Sequence, residues 1–387
     1  MSTNTPTTNV QKTSSKEGGR FIIAGGGTGG HIFPAIAIAN AIRKLQPNAA
    51  ILFVGARGKM EMEKVPQAGY NIEGLDIAGF NRSSLIKNIG LPFKLLKSFL
   101  QVRTIVNAFK PTAVIGVGGY SSFPVLRYAQ SKGIATYIHE SNSFAGKSNQ
   151  WLGTKATKIF VASDGMEKFF PTHKLLITGN PVRSSIVHST VTRAEAFRFF
   201  GLDETKTTVL AVGGSLGAKS INEALLAHLD YFALNNLQLI WQTGKTTGAI
   251  YKQAAKGHLN IWADEFINQM ELAYAAADVV ISRAGAMAVT ELCVAKKPVI
   301  FVPFPFAAED HQTVNAQHLV DKEAALMIKD SEAKEKLAAA IVSLAGNKEL
   351  QEKLKTNIGK LAITNADEVI AREVAPPPPE GGSWQTG

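Results

Sequence analysis

"FIIAGGGTGGHIFPAIAIANAIR", residues 21–43, decides how the rest of the chain is read. A β-rich apolar run ends at Ala24, five glycines and a threonine turn the chain, and an amphipathic segment begins at His31. An apolar strand, a tight turn and a helix make one unit of a parallel sheet. Glycines let the backbone come close to an anion, and a helix start adds unpaired N–H groups and a favourable dipole. A purely structural tight turn is the competing reading. The usual dinucleotide fingerprint is missing, because "ILFVGARG" brings Arg57, not an acidic residue, to the end of the second strand. The Lys-Ser/Thr ending of an ATP-binding loop is missing too. His31 places a titratable ring beside this loop, which suits a general base as well as simple capping.

Outward from there the scheme repeats. "AILFVGA", "AVIGVGG", "ATYIHE", "KIFVAS" and "LLITGN" read as further strands with helical segments between them. A second series starts at "TTVLAVGGSLGAKSINEALLAHL" and continues through "LQLIWQTG", "LNIWADEF", "DVVISRAG" and "KPVIFVPFP". The expected fold class is α/β, with two Rossmann-like parallel-sheet domains facing an interdomain cleft. Gly179 and Pro181 in "TGNPVRSS" break regular structure, so the expected units are residues 20–178 and 179–373. A length of 387 residues accommodates two domains of about 150 each. Residues 1–19, polar and without an apolar core, and the Pro/Gly-rich residues 374–387 read as disordered tails.

The single cysteine, Cys293, excludes an internal disulfide framework and a cysteine-based zinc site, which fits a cytoplasmic protein. No apolar run approaches the ~18 residues needed to span a bilayer. A net charge of +10 favours an anionic partner, namely nucleic acid, a phosphorylated metabolite or anionic lipid, although solubility alone would also account for it.

Several polar clusters end predicted strands, where open sheets of this type bind ligands. "GGSLGAKSIN" is a second phosphate-type loop carrying Ser215. "SRAGAMAVTEL" reads as a helix over residues 286–295 opening at Gly285, with Glu291 placed to accept hydrogen bonds from vicinal hydroxyls or merely to satisfy the dipole. "AAEDHQTVNA" brings Gln312 and Asn315 behind an apolar run, and "IHESNSFAGKSN" brings His139, Glu140 and Asn142. No Asp-x-Asp occurs, so no metal site is expected, and a departing diphosphate would rely on backbone N–H groups and cations such as Arg183. Residues 85–93 mix Leu85, Ile86, Ile89, Leu91 and Phe93 with Lys87, an apolar tip with basic neighbours that suits an anionic membrane surface. From Leu95 onward the pattern reads mostly as an amphipathic core helix.

Taken in order, "GGGTGGHIFPAIAIA", "GVGGYSSFP", "HESN…AGKSN", "TGNPVR", "GGSLGA", "SRAGAMAVTEL" and "EDHQTVNA" resemble the peptidoglycan N-acetylglucosaminyltransferases over about residues 20–365. That family moves N-acetylglucosamine from UDP-N-acetylglucosamine to lipid I, the undecaprenyl-diphosphate-linked N-acetylmuramyl-pentapeptide. The resemblance implies a GT-B enzyme that inverts the anomeric carbon and requires no metal or other cofactor. The first half would hold the acceptor and the second half most of the donor. By position, Thr28, Gly29 and Gly30 match the loop reaching the donor's diphosphate or sugar, and Asn142 a donor-sugar contact. Arg183 and Ser215 match diphosphate contacts, and Ile267 the residue whose backbone reads uracil. Ala286, Met287, Ala288, Val289, Thr290 and Glu291 match the donor helix, with Glu291 on the ribose, and Gln312 and Asn315 match contacts to the sugar hydroxyls. His31 matches the catalytic base or acceptor-positioning residue, and Tyr120 the acceptor-side tyrosine. Ser141 departs from the family, which often has Gln there. The last helix of such enzymes commonly returns to the first domain. The implied setting is peripheral, on the cytoplasmic face of the inner membrane, with no nucleic acid and with room for contacts with other cell-wall synthesis proteins. The alternatives are a UDP-N-acetylglucosamine 2-epimerase-like enzyme and a sugar-nucleotide-binding subunit.

Overall fold

A computed structural model describes residues 18–78, 91–246 and 248–376. The two expected tails, but for a few residues, and residues 85–90 of the expected membrane loop lie outside the described residues, as does the side chain of Leu91.

The first sheet contains Arg20–Ala24 (β1), Ala50–Ala56 (β2), Asn71–Leu75 (β3), Ala113–Gly116 (β4), Ala135–Glu140 (β5), Lys158–Val161 (β6) and Leu175–Ile177 (β7). Its strands are all parallel, in the order β3-β2-β1-β4-β5-β6-β7. Gly29–Leu45 (α1), Glu61–Gln67 (α2), Leu91–Phe109 (α3), Ser122–Ser131 (α4) and Lys147–Gly153 (α5) accompany it. The second sheet contains Thr207–Val212 (β8), Leu237–Gln242 (β9), Ile261–Asp264 (β10), Val279–Ser282 (β11), Val299–Phe301 (β12) and Leu326–Met327 (β13). It is also wholly parallel, in the order β10-β9-β8-β11-β12-β13. Its helices are Ser184–Val187 (α6), Arg193–Phe200 (α7), Lys219–Leu226 (α8), Leu229–Leu234 (α9), Gly248–Ala255 (α10), Met270–Ala276 (α11), Ala286–Ala295 (α12), His311–Val320 (α13), Ala333–Gly346 (α14) and Lys348–Gly359 (α15). Ala366–Val374 (α16) closes the described chain.

Apolar runs such as Phe21-Ile22-Ile23 are buried on both faces because helices cover both sides of a parallel sheet. Strand order reverses between β1 and β4, and again between β8 and β11. These are the points where successive connections leave toward opposite faces and open a crevice at the strands' carboxyl ends. The glycine loops after β1 and β8 sit there.

α16 does not stay with the second sheet. Ile370, Ala371, Val374 and Ala375 share one core with Phe21, Ile38 and Phe160 of the first. Gln46 Nε2 donates to the carbonyls of Ala375 and Pro376 (3.4 and 3.3 Å), and Lys44 pairs with Glu368 (3.0 Å).

α3 departs from the expected core helix. Ser98, Val102 and Val106 face inward at i, i+4 and i+8. Phe93, Leu96 and Leu100 lie on the opposite side, 77%, 63% and 59% exposed. The helix therefore has two apolar faces, and only one of them is covered.

Candidate active site

On the first sheet, the chain leaves β1 through Gly25, Gly26 and Gly27, all with positive φ (151°, 148° and 88°). The loop after β4 approaches so closely that a Cβ on Gly119 would stand 2.4 Å from the Gly26 carbonyl oxygen. Here glycine serves the packing of two loops back to back. Glu61, at the start of α2 and 1% exposed, accepts hydrogen bonds from the N–H groups of Gly27 (2.8 Å) and Ala56 (3.0 Å). Thr28 then caps the position before α1 in extended conformation, and Tyr120 stands beside Gly27.

His31 lies in the first turn of α1, with Nδ1 3.0 Å from the Gly26 carbonyl oxygen and 3.4 Å from Thr28 Oγ1. A carbonyl can only accept, so Nδ1 carries the proton and Nε2 keeps its lone pair. The Cδ2–Nε2 edge of the ring packs against Gly118, where a Cβ would stand 2.8 Å from either atom. Burial pushes the His31 pKa down, against the opposing pull of the Gly26 carbonyl. Burial thereby favours the neutral ring.

After β5, Glu140 organises the next loop by accepting from Asn142 N, Asn142 Nδ2, Gly146 N and Asn149 Nδ2. His139 beneath it is wholly buried, and burial pushes its pKa down to about 4.

On the second sheet, the loop after β8 turns at Gly214 and Gly217 with positive φ and exposes Ser215. Gln242, at the end of β9, ties this loop to the next one: Nε2 donates to the Gly214 carbonyl (3.1 Å) and Oε1 accepts from Ile267 N (3.0 Å). With its N–H taken, buried Ile267 has its carbonyl left to offer. α12 follows Gly285 with no side-chain cap, so its first N–H groups have no side-chain partner, and helix order over residues 286–295 follows the sequence expectation. The heads of α1 and α12 meet, since Met287 Cγ lies 4.0 Å from where a Gly30 Cβ would be.

Cross-links tie the halves together around this meeting point. Asn180 Nδ2 donates to the Ser141 carbonyl (3.1 Å) and to Thr290 Oγ1 (2.9 Å). Asn315 Oδ1 accepts from Ser143 N (3.0 Å), and its Nδ2 reaches Asn142 Oδ1 (3.4 Å) and the Ala284 carbonyl (3.1 Å). Within the second half, Arg183 forms a bidentate pair with Glu291, Nε to Oε1 at 3.0 Å and Nη2 to Oε2 at 3.1 Å, and Tyr274 completes the cluster. Gln312 Oε1 accepts from Phe304 N (3.0 Å). Among the described residues no group of His, Cys, Asp or Glu side chains is gathered that could hold a metal ion. Of the residues singled out by sequence, Tyr120 stands beside Gly27, Gly30 faces Met287 and Asn142 meets Asn315 across the two halves, while the loop bearing Ser215 and the backbone of Ile267 are joined through Gln242 on the second sheet.

Four positions that brace these loops and side chains, Glu61, Gln242, Arg283 and Tyr274, are not among those singled out by sequence. Glu61 and Gln242 each support a glycine loop from outside the motif they support. Arg283 is held by the carbonyls of Val302 (2.9 Å) and Pro303 (3.1 Å), by Ser220 Oγ (3.2 Å) and by Asp330 at 2.5 Å, and so fixes the loop leading to Gln312. Tyr274 is the fourth. A polar residue at a strand's carboxyl end, as Gln242 and Arg283 are, is the signal that would have found two of them.

Residues 21–161 match the glycosyltransferase family 28 N-terminal domain, and residues 208–372 match the family 28 C-terminal domain. A relative from Phocaeicola vulgatus, named UDP-N-acetylglucosamine–N-acetylmuramyl-(pentapeptide) pyrophosphoryl-undecaprenol N-acetylglucosamine transferase, is 53% identical over 92% of this chain and 95% of its own length. Among solved structures, Acinetobacter baumannii MurG superimposes with a TM-score of 0.74 at 29% identity, covering 92% of this chain and 99% of that one. A UDP-N-acetylglucosamine 2-epimerase shares the fold alone, with a TM-score of 0.64 at 13% identity over 92% and 95% of the two chains. Two parallel sheets meeting at their switch points, with family 28 domains on both sides, agree with that relationship: the chain belongs to the family 28 glycosyltransferases of the pyrophosphoryl-undecaprenol N-acetylglucosamine transferase type.

Proposed function

We propose that this protein transfers N-acetylglucosamine from UDP-N-acetylglucosamine to the 4-hydroxyl of the N-acetylmuramyl group of lipid I, with inversion at the anomeric carbon. The observation that carries this reading is the His31 ring, neutral, with Nδ1–H on the Gly26 carbonyl and the Nε2 lone pair left to take a proton. The acceptor hydroxyl attacks C1 of the donor sugar from the face opposite the diphosphate, and His31 Nε2 takes the hydroxyl proton as the bond to UDP breaks. Negative charge grows on the leaving diphosphate, where the open N–H groups of Ala286, Met287 and Ala288, the loop bearing Ser215 and the Arg183 guanidinium would receive it.

The remaining roles rest on the family resemblance. Residues 20–178 take the acceptor, with Tyr120 beside it, and residues 179–373 take most of the donor. The Ile267 carbonyl accepts from uracil N3–H and Glu291 takes the ribose hydroxyls. Asn142, Gln312 and Asn315 take the sugar hydroxyls, for which Asn142 and Asn315 exchange the bond they now make to each other. Thr28, Gly29 and Gly30 close the site from the first half, opposite Val289 and Thr290.

The acceptor is lipid-linked, and the uncovered face of α3 supplies a means of reaching it. Phe93, Leu96 and Leu100, with exposed Lys94 beside them, would rest on an anionic membrane surface at its cytoplasmic side, Lys97 being paired with Asp76 at 2.9 Å. No described helix is long and apolar enough to cross a membrane.

Incubating the purified protein with UDP-N-acetylglucosamine and a lipid I analogue tests the proposal. Disaccharide-bearing lipid supports it. Release of a free 2-epimer, or no turnover at all, rejects it.

A further inference from the structure

The Arg183–Glu291 pair conflicts with the roles just given to its members. Glu291 is to receive two ribose hydroxyls and Arg183 a diphosphate, yet in the structure each holds the other. A carboxylate offers about four acceptor positions. The guanidinium occupies two and the Tyr274 hydroxyl a third, at 3.2 Å from Oε2. A vicinal diol needs two, so at least one guanidinium bond has to be released, and Arg183 gives up the other when it turns to the diphosphate. Glu291, 8% exposed, would then be a buried carboxylate without its cation and free to rotate.

Tyr274 cannot leave in the same way. It sits on α11, 6% exposed, in one apolar core with Val182, Leu292 and Cys293. Burial raises its phenol pKa well above the ordinary value, so it stays a donor. Burial pushes the Glu291 pKa up, and Arg183 and Tyr274 both oppose that push. The other carboxylate near it, Glu271 on α11, is engaged by Ser185 Oγ (3.3 Å). Arg183, 29% exposed at its side chain, is therefore the exchangeable partner and Tyr274 the fixed one.

We propose that Tyr274 is a positioning residue whose buried hydroxyl keeps the Glu291 carboxylate aimed at the nucleotide ribose while Arg183 moves to the diphosphate. This rests on the reading that Glu291 takes the ribose hydroxyls.

The test uses the full chain and compares Tyr274→Phe with Glu291→Gln. Tyr274→Phe is expected to raise KM for UDP-N-acetylglucosamine about five-fold or more, with kcat changing less than about two-fold. The readout that a purely structural role would not move is the preference for UDP over 2′-deoxyuridine diphosphate, measured by calorimetry. It should fall in both variants. If Glu291→Gln keeps the wild-type preference, the ribose reading fails and this inference fails with it. If Glu291→Gln loses the preference while Tyr274→Phe keeps wild-type preference and KM, the inference alone is overturned. Tyr274→Met, which fills the same space by flexing, replaces Tyr274→Phe in the same comparison if the latter does not fold.

Discussion

Replacing Glu61 with Ala probes the support beneath the first glycine loop. In the structure the carboxylate is 1% exposed and accepts from Gly27 N at 2.8 Å and Ala56 N at 3.0 Å. Removal leaves two backbone donors without partners, each costing about 1–3 kcal/mol if it stays dry. Water entering the polar space left behind recovers part of that cost, so a loss of about 2–4 kcal/mol is expected. Equilibrium unfolding in urea followed by far-ultraviolet circular dichroism reads this as a lower midpoint at unchanged slope. If the two halves unfold in separate steps, the shift belongs to the step of the first half. Turnover should fall as well, because the same bond holds the backbone that orients His31. Glu61→Gln keeps one acceptor and turns an amide N–H toward the second donor, so it should fall between wild type and Ala. A stability change below about 0.5 kcal/mol together with normal turnover would refute the reasoning, since that is what an unconstrained surface position gives.

His31→Ala should lower kcat by about 10²–10⁴-fold while leaving UDP affinity nearly unchanged. Because burial holds its pKa down, the acid limb of kcat/KM in the wild type should fall below the ordinary histidine value of about 6.5, and a limb above it would count against His31 as base. His139, pushed down to about 4, makes the folded state reject a proton that the unfolded chain accepts from about pH 6.5 downward. Stability should therefore decline between those values, by about 3 kcal/mol in total from this group, and His139→Gln should flatten the decline in urea titrations at stepped pH. Parallel curves would contradict this. Changing Phe93, Leu96 and Leu100 together to Asp should abolish flotation with phosphatidylglycerol vesicles while melting stays unchanged, and undiminished flotation would reject the membrane face.

The repeated strand, glycine turn and helix were readable because each unit carries its own local signal. β1 and β8 are continuous apolar runs, and their turns need residues that tolerate positive φ. β3, "NIEGL", was not readable, since an edge strand keeps polar residues on its open side and loses the apolar run. β13 spans two residues, too few for any pattern. At the site, motif residues such as Gly30 and Met287 announce themselves, but their meeting across the crevice depends on how the two sheets are set against each other. Glu61, Gln242 and Tyr274 were missed for a related reason: each acts through a partner distant in sequence. The second apolar face of α3 was hidden by the helical period itself, because a stripe at i, i+3 and i+7 reads as core whether or not anything covers it.

The return of α16 to the first core has a consequence for biogenesis. Ile370 and Val374 fill space beside Phe21 and Ile38, so the half made first at the ribosome stays unfinished until nearly the whole chain has emerged. During that interval an apolar surface on the nascent first half waits for its lid, and the early half needs protection for as long as the later half takes to translate. Exchanging halves between relatives of this architecture should succeed only when the closing helix travels with the amino-terminal portion.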